Sequence, residues 1–321
     1  MSRERVVTWN PVHDAGLQLG RSVVSIGVFD GLHLGHRALL AQARAEAEKA
    51  GAHLLVVTFA ADPDEFFAAA GASFDKLLSD EHRLELLAQV SQGTVVVLPA
   101  EREVFQLEPT AFLDALARLC EPVGIVVGAD FRFGARAAGT VDDIERWCAG
   151  HGCSCQPVGL LEALGAPVTA TRIRGLLGDG GVETARELCA GRAHSVEGTV
   201  VHGRGEGTGF GFATANLSFG PEQPMLPREG VYGGYARVRG VSYAAAINVG
   251  VARSFEGATS PLEAHLLDFT GDLYGERVEV SFLTWLREPR VFESQQELVE
   301  TVTGNIDWVR ENLGGGLHGA H

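Results

Sequence analysis

The sequence predicts an α/β domain built on a parallel sheet, followed by a smaller, mainly β domain. Residues 20–150 alternate short apolar runs with amphipathic stretches, which is typical of a parallel sheet with helices on both faces. After about residue 190, glycine becomes frequent and short runs rich in valine, tyrosine and phenylalanine follow one another. The 321 residues are enough for about two domains. We therefore predict one domain over residues 1–187 and a second over residues 188–321.

The strands and helices of the first domain follow from its hydrophobic pattern. Apolar runs predict strands over residues 22–29, 52–59, 94–99 and 123–131. Helical periodicity predicts helices over residues 37–51, 79–93 and 108–122, the second of them capped by Ser79 or Asp80. Parallel sheets of this kind bind ligands at the carboxyl ends of their strands, so we expect a functional site there.

The second domain is predicted to be a small antiparallel sheet or barrel that ends in a helix. Its strand-like runs cover residues 195–203, 230–240, 241–250, 262–269 and 277–286. Residues 294–315 have a helical pattern that begins with Ser294, and Glu297 stands three residues later, where a capping box has its acidic residue.

Composition limits the class of partner. The net charge is −15, which disfavours a nucleic-acid-binding protein because phosphate neutralisation needs surplus Lys and Arg. No apolar run approaches the roughly 20 residues of a membrane span, and the N-terminal residues lack the apolar core of a signal peptide. We therefore expect a cytoplasmic protein whose partners are small molecules.

The five cysteines do not predict a disulfide framework, because their number is odd and the chain is expected to be cytosolic. Cys153 and Cys155 could ligate a metal together with other residues, but no second Cys or His pair with zinc spacing accompanies them. Small buried or surface thiols are the favoured interpretation.

The segment GVFDGLHLGH, residues 27–36, places two histidines and three glycines between a predicted strand and a predicted helix. Glycine lets the backbone approach a ligand, and a helix N-terminus attracts anions. His33 and His36 lie on one face of the first helical turn and can both donate to phosphate oxygens. Zinc would need a third protein ligand that is not evident, and two surface histidines are the simpler alternative. The residues favour stabilising charge on a transferring phosphoryl group.

This segment resembles the first signature of the HxGH nucleotidyltransferases. In particular it is similar to the FMN adenylyltransferase module of prokaryotic bifunctional riboflavin kinase/FAD synthetases. GADFRFG at 128–134, TATRIR at 169–174 and LEAHLLDF at 262–269 resemble later segments of that family, in the same order. The resemblance covers nearly the whole chain. It implies a Rossmann-like first domain and a flavokinase-like barrel.

The resemblance also implies two reactions that both use Mg-ATP. The second domain would phosphorylate riboflavin to FMN, and the first would adenylylate FMN to FAD. Mg²⁺ is the implied cofactor, ATP the co-substrate, and riboflavin, FMN and FAD the substrates and products.

In the first domain, the resemblance assigns His33 and His36 to catalysis. The implied nucleotide and flavin ligands are Gly27, Phe29, Asp30, Gly31, Gly35, Asp130, Phe131, Arg132, Thr171, Arg172 and Arg174. The last three of these would hold the triphosphate, and the segment around Phe131 would lie near the flavin. From the residues alone, Phe131 is equally well explained as a core aromatic, and a surface salt bridge is an alternative role for Arg174.

In the second domain, residues 203–216 form a glycine-rich segment that ends in Thr-x-Asn. Gly203, Gly205 and Gly209 would let backbone N–H groups bind phosphates. The resemblance implies that Thr214 and Asn216 bind ATP and organise Mg²⁺. It implies that Glu263 is the general base for the ribityl 5′-hydroxyl.

The sequence departs from the family pattern beside these motifs. Ala61 and Asp62 replace a Pro-His pair, Thr169 and Ala170 replace two serines, Ala213 replaces a proline, and Arg253 and Ser254 replace Pro-Thr. These departures leave open a specialised paralogue with only one active half or an altered nucleotide or flavin preference. A non-catalytic flavin-binding protein is a further alternative, although retention of Glu263 weighs against it.

Overall fold

The structure, a computed structural model, describes residues 5–14, 16–67, 75–202, 214–220, 223–250 and 260–314. The chain forms two compact units: Met1–Phe74 with Ser79–Ala170, and Asp75–Leu78 with Thr171–His321. The units therefore divide earlier in the chain than the predicted domain boundary between residues 187 and 188, which stays a prediction. No helix among the described residues is both long and apolar enough to cross a membrane.

The first unit is built on a parallel sheet, as the sequence predicts. Its strand order is β1-β4-β3-β2-β5-β6. The strands are β1 (Val6–Thr8), β2 (Arg21–Ile26), β3 (His53–Phe59), β4 (Thr94–Leu98), β5 (Glu121–Gly128) and β6 (Ser154–Val158). The sequence pattern missed the two edge strands, since β1 has only three residues and β6 contains Pro157.

Helices cover both faces of this sheet. They are α1 (Leu34–Ala50), α2 (Pro63–Phe67), α3 (Asp80–Ser91), α4 (Arg102–Phe105), α5 (Pro109–Leu119) and α6 (Val141–His151). Successive strand residues point to opposite faces. Val23 accordingly packs with Leu40 of α1 and Leu87 of α3, whereas Val24 belongs to the core formed with α5 and α6. A small hairpin, β7 (Glu162–Ala163) and β8 (Ala166–Pro167), follows β6.

The predicted strand over residues 22–29 is too long and the predicted helix over residues 37–51 starts too late. β2 ends at Ile26, because Phe29 adopts a left-handed backbone with φ 59° that no strand accommodates. α1 begins at Leu34, because the His33 side chain caps it. The histidine motif therefore forms the turn and the start of the helix. Ser79 caps α3 as predicted, its Oγ accepting from the N–H of His82 at 3.3 Å.

The second unit contains the predicted antiparallel barrel. The closed strand order is β10-β13-β12-β11-β14-β9. The strands are β9 (His194–Val201), β10 (Ala215–Ser218), β11 (Gly230–Val238), β12 (Val241–Val249), β13 (Leu262–Leu266) and β14 (Arg277–Arg287). Of these strands, only β10 is not predicted from the sequence, because it overlaps the end of the glycine-rich segment.

Helices α7 (Ala170–Gly178), α8 (Val182–Leu188) and α9 (Gln295–Leu313) accompany the barrel in sequence. Residues 75–78 also belong to this unit: the carbonyl of Lys76 accepts from the N–H of Met225 at 2.8 Å, and Leu77 and Leu78 are buried. Ile306 and Val309 of α9 pack on the barrel beside Ala244.

Ser294 caps α9 as predicted, since its Oγ accepts from the N–H of Glu297 at 3.1 Å. The predicted capping box is wrong. The Glu297 carboxylate accepts from the N–H of Glu293 at 2.9 Å and pairs with Arg290, so it does not make the return bond to Ser294 that a capping box requires.

Candidate active sites

The histidine motif of the first unit is held in a strained turn between β2 and α1. Phe29 (φ 59°), Gly31 (φ 75°) and Leu32 (φ 39°) all have positive φ. For residues other than glycine this conformation costs free energy, and it persists only where the surroundings enforce it, often at functional sites. Phe29 is 1% exposed, and its ring meets the His36 ring edge-on at 5.4 Å. The strain thus serves to place one face of the turn against His36.

The two histidines form a stacked pair. Their ring centroids lie 3.7 Å apart. The Nδ1 of His33 accepts a hydrogen bond from the backbone N–H of His36 at 3.3 Å, so neutral His33 carries its proton on Nε2. Burial, and secondarily the charge of His33, lower the pKa of His36 well below its ordinary value. His36 is therefore neutral at pH 7 and can donate a single N–H.

His36 also has a spare nitrogen. Its Nδ1 is buried and has no hydrogen-bond partner in the described part of the chain. A buried polar atom without a partner is costly, and a ligand that bonds to it removes that cost. The pair lies at the N-terminus of a helix of 17 residues, where the helix dipole favours negative charge. The arrangement suits an anion.

The glycines of the motif make this packing possible. A Cβ on Gly35 would lie 3.2 Å from the His33 ring and from the carbonyl of Val168, and one on Gly27 would lie 3.1 Å from the Phe29 ring. Asp30 and Gly31 are buried in the same turn. The structure therefore brings all seven predicted residues of the motif together, although their individual roles stay predictions.

A cavity of about 550 Å³ lies at the carboxyl ends of the sheet strands, within the first unit. Its walls include the last residues of three strands, Ile26, Phe59 and Leu98. Phenylalanine rings dominate it: Phe59 packs on Phe105 at 5.7 Å, and Phe131 is nearly parallel to Phe133 at 5.8 Å. An apolar space with flat walls suits a planar aromatic ligand.

Four charged residues also line this cavity. They are Asp62, Asp64, Arg132 and Arg136. The predicted Phe131 and Arg132 are thus in the cavity wall, where Phe131 also packs on a neighbouring ring. The flavin contact of Phe131 stays a prediction. Asp130 is exposed and is not part of the wall.

Sequence reasoning missed Phe105 and Arg136. Phe105 lies on the four-residue helix α4, which is too short to show a periodic pattern. Arg136 has φ 55° in a short turn, and nothing in the sequence pattern marks it.

The predicted triphosphate ligands lie on the first turns of α7. Thr171 is exposed, and Arg174 donates through Nε to the carbonyl of Asp75 at 2.6 Å. That partner is a backbone oxygen. These residues and Arg172 belong to the second compact unit, and their approach to the histidine pair stays a prediction.

The second site is a row of side chains on the outside of the barrel. Glu263 of β13 stands directly opposite Asn216 of β10 and Asn248 of β12. Opposed residues project from the same face of a sheet with Cβ atoms roughly 4.5–5.5 Å apart. The flanking Leu262 and Ala264 are buried, so the row faces outward, and its three members are half-buried. The structure thus brings the predicted base beside a predicted ligand.

Asn248 was missed by sequence reasoning. Its Nδ2 donates to the carbonyl of Gly250 at 3.2 Å. Asparagine is depleted in strands, and two of them in strand interiors, Asn216 and Asn248, were a signal that could have been used. The next residue of the row, Val231, stands opposite both Asn248 and Arg287.

Arg287 extends this row with a cation. Its Nε is buried without a hydrogen-bond partner among the described residues. Burial first, and the charge of Arg290 second, lower the pKa of its guanidinium. A half-buried guanidinium with an unsatisfied donor favours an anionic ligand.

Oxygen ligands immediately before β10, on β10 and on β13 fit a magnesium ion. Thr214, Asn216 and Glu263 offer a hydroxyl, an amide and a carboxylate, and Mg²⁺ prefers oxygen ligands from one or two protein groups together with phosphates. No cluster of three His, Cys, Asp or Glu side chains within the described ranges could hold a metal by itself.

Burial raises the pKa of Cys155 to about 11, which disfavours the thiolate that a metal at Cys153 and Cys155 would need.

The predicted phosphate-binding glycines Gly203, Gly205 and Gly209 lie outside the described residues, as do Ala213, Arg253 and Ser254.

A histidine turn suited to an anion on a parallel sheet, together with a barrel that carries a glutamate between two asparagines, is typical of a two-domain enzyme of phosphoryl and nucleotidyl transfer. The family model for FAD synthetase matches residues 17–172, and that for riboflavin kinase matches residues 190–313. The chain belongs to the bifunctional riboflavin kinase/FMN adenylyltransferase family.

Individual relatives agree with this assignment along most of the chain. The bifunctional riboflavin kinase/FMN adenylyltransferase of Pseudomonas fluorescens is 31% identical over 294 residues, or 88% of this chain and 90% of that protein. The enzyme of the same description from Listeria monocytogenes is 28% identical over 86% of this chain and 88% of its own length. A crystal structure described as a macrolide-efflux protein from Streptococcus pneumoniae superposes with a TM-score of 0.83 at 27% identity, covering 95% of this chain and 99% of that one.

Proposed function

We propose that this chain makes FMN from riboflavin in its barrel unit and FAD from FMN in its α/β unit, with Mg-ATP as the phosphoryl and adenylyl donor. The proposal rests on one observation: each part of the chain that matches a family model also contains its own cluster of side chains suited to the corresponding reaction. The histidine pair supports the nucleotidyl transfer and the Glu263 row supports the phosphoryl transfer. Flavins and ATP are the proposed partners, and a cytoplasmic location stays a prediction.

Adenylyl transfer needs positioning and charge stabilisation more than covalent chemistry. An oxygen of the FMN phosphate attacks the α-phosphorus of ATP, and pyrophosphate leaves. The Nε2–H of His33 and the N–H of His36 donate to oxygens on which negative charge increases. Both imidazoles act as hydrogen-bond donors here, since the low pKa of His36 disfavours a protonated ring.

The flavin ring occupies the phenylalanine-lined cavity in this scheme. The cavity lies at the same edge of the sheet as the histidine turn, because both follow the carboxyl ends of parallel strands. Arg132 and Arg136 offset the negative charge of the FMN phosphate. Asp62 places a carboxylate in the same wall, so the substrate preference of this cavity should be measured.

Phosphorylation of riboflavin needs a base. The Glu263 carboxylate accepts the proton of the ribityl 5′-hydroxyl as that oxygen attacks the γ-phosphorus of ATP, and ADP leaves. Asn216 and Asn248 flank Glu263 on the two neighbouring strands. Mg²⁺ held by Thr214 and Asn216 would neutralise phosphate charge.

A time course separates the two reactions. Purified protein is incubated with riboflavin, Mg²⁺ and ATP, and the flavins are separated by HPLC. FMN followed by FAD supports the proposal. Parallel reactions with CTP and GTP test the nucleotide preference: a dinucleotide formed with either, or FMN that accumulates without FAD, would reject the assignment of the α/β unit. Flavin binding without turnover would reject both assignments.

A further inference from the structure

Arg83 of α3 is a buried charge that the proposed mechanism does not use. Its side chain is 2% exposed. The nearby carboxylate of Asp80, 3.0 Å from Nη2, partly offsets the charge. Burying a guanidinium costs free energy unless its donors are satisfied, and an apolar side chain could fill the same space. The contacts that satisfy Arg83 therefore indicate what it does.

Its remaining donors bind the chain just after β2 and the end of β3. Nη1 donates to the carbonyl of Val28 at 2.9 Å and to Thr58 Oγ1 at 2.9 Å, and Nη2 donates to the carbonyl of Phe59 at 2.7 Å. Thr58 Oγ1 in turn donates to the carbonyl of Val28 at 3.2 Å. One planar guanidinium thus connects the chain after β2 to the end of β3.

Each connected segment leads into the proposed adenylyltransferase site. Val28 immediately precedes Phe29, the left-handed residue that packs against His36. Phe59 and Val28 both line the phenylalanine-lined cavity. The guanidinium therefore fixes the start of the histidine turn relative to the cavity wall. This position sets the distance between the catalytic histidines and the flavin proposed to bind in the cavity.

We propose that Arg83 is a positioning residue for adenylyl transfer, which rests on the function proposed for the α/β unit. Lysine has no fixed, planar fork of donors, so it cannot replace the guanidinium at three acceptors in two separate chain segments. Small misplacements of reacting groups cost up to about a hundredfold in rate. Loss of this connection should lower kcat for FAD formation more than it raises the KM for FMN or ATP.

The test compares Arg83→Lys with Arg146→Lys, which makes the same change at an exposed arginine of α6. Arg83→Lys is expected to lower kcat for FAD formation by about 10–100-fold. Riboflavin kinase activity of the same polypeptide, which depends on the other unit, should be unchanged. Thr58→Val removes only the hydroxyl part of the connection and should give a smaller loss of kcat. Arg146→Lys should change neither activity.

NMR of the protein without substrates tests the role of Arg83 independently of the enzymatic activity proposed above. The imidazole resonances of His33 and His36, recorded by NMR without substrates, should shift in Arg83→Lys and not in Arg146→Lys. If the wild type forms no FAD, the proposed function fails, and these spectra still decide the role of Arg83. Unchanged kcat and unchanged resonances overturn the positioning role. If Arg83→Lys does not fold, Thr58→Val decides: unchanged kcat and resonances in that variant overturn it too.

Discussion

The stacked histidine pair of the first unit and the row of side chains around Glu263 in the barrel arise from the sequence in opposite ways. The pair comes from ten contiguous residues, 27–36, whose strained backbone and glycines fix two rings 3.7 Å apart. The row comes from three strands, with Asn216, Asn248 and Glu263 aligned only by strand register. A contiguous motif is visible in the sequence, whereas a site made by register becomes visible only once the strands are paired. The two sites should therefore respond to different changes.

The largest effect should come from Glu263→Gln, which removes the base and keeps the shape. Riboflavin phosphorylation should fall by about 10²–10⁴-fold, the usual contribution of a general base. FAD formation from supplied FMN should be unchanged, because it uses the other unit. Both rates are measured by HPLC.

Glu276→Gln is the matched control for this variant. Glu276 makes an exposed ion pair with Arg239 in the same unit, so its replacement should leave both activities intact. Equal losses of both activities in Glu263→Gln would contradict the assignment of Glu263 to one reaction.

His36→Gln should give the reverse pattern. Removing one donor to a developing phosphoryl charge costs about 10²–10³-fold in kcat, here in FAD formation, and riboflavin phosphorylation should continue. His13→Gln is the control, since His13 is an exposed histidine of the same unit. A wild-type rate of FAD formation in His36→Gln would contradict the catalytic role of the pair.

Gly35→Ala should lower FAD formation by about tenfold, since the new Cβ would meet the His33 ring and the carbonyl of Val168, both at 3.2 Å, and shift the stack. Gly150→Ala is the matched change at a glycine near the end of α6 with open space around it. That variant should be as active as wild type and slightly more stable. Equal activity of the two variants would show that the close contact at Gly35 is unimportant.

The smallest effect concerns stability of the barrel unit towards acid. Burial lowers the pKa of His194 to about 4, against 6.5 for an exposed histidine, and the ring contacts the carbonyl of Met225 at 2.7 Å. The unfolded chain then binds a proton below pH 6.5 that the folded chain excludes until about pH 4. The contribution of His194 to stability is therefore nearly constant above pH 7, and it falls as the pH is lowered, by about 1 kcal/mol from pH 7 to 5.5.

Denaturant unfolding at several pH values measures this change. His194→Gln keeps a hydrogen-bond donor but cannot titrate, so the difference between wild type and variant isolates the contribution of His194. A difference that does not vary between pH 7 and 5.5 would contradict it.

The sequence predicts the sheet, the barrel and the histidine motif, because each depends on local patterning. It places the end of β2 wrongly, since the left-handed conformation of Phe29 is imposed by its packing against His36 and not by its own propensity. It misses β10, whose four residues follow a glycine-rich segment. It gives Glu263 to the kinase only through the family resemblance, because a single carboxylate in a strand has no local signal.

Long-range contacts account for the other omissions. Arg83 has the sequence pattern of an ordinary helix residue, and its importance lies in acceptors 24 to 55 positions away. Glu297 satisfies the capping-box pattern, yet Glu293 and Arg290 compete successfully for its carboxylate. A local sequence pattern does not show which of several possible partners a side chain will bind.

The membership of residues 75–78 in the second unit has a consequence for synthesis. Lys76 receives its hydrogen bond from Met225, which leaves the ribosome about 150 residues later, or roughly 7–30 s at ordinary rates of elongation. Leu77 and Leu78 are buried in the finished chain, but during that interval the unit to which they belong does not yet exist. During synthesis, the nascent chain therefore carries two leucines whose own unit has yet to form. If residues 1–170 were expressed alone, residues 75–78 would be present and the rest of their unit would never be made.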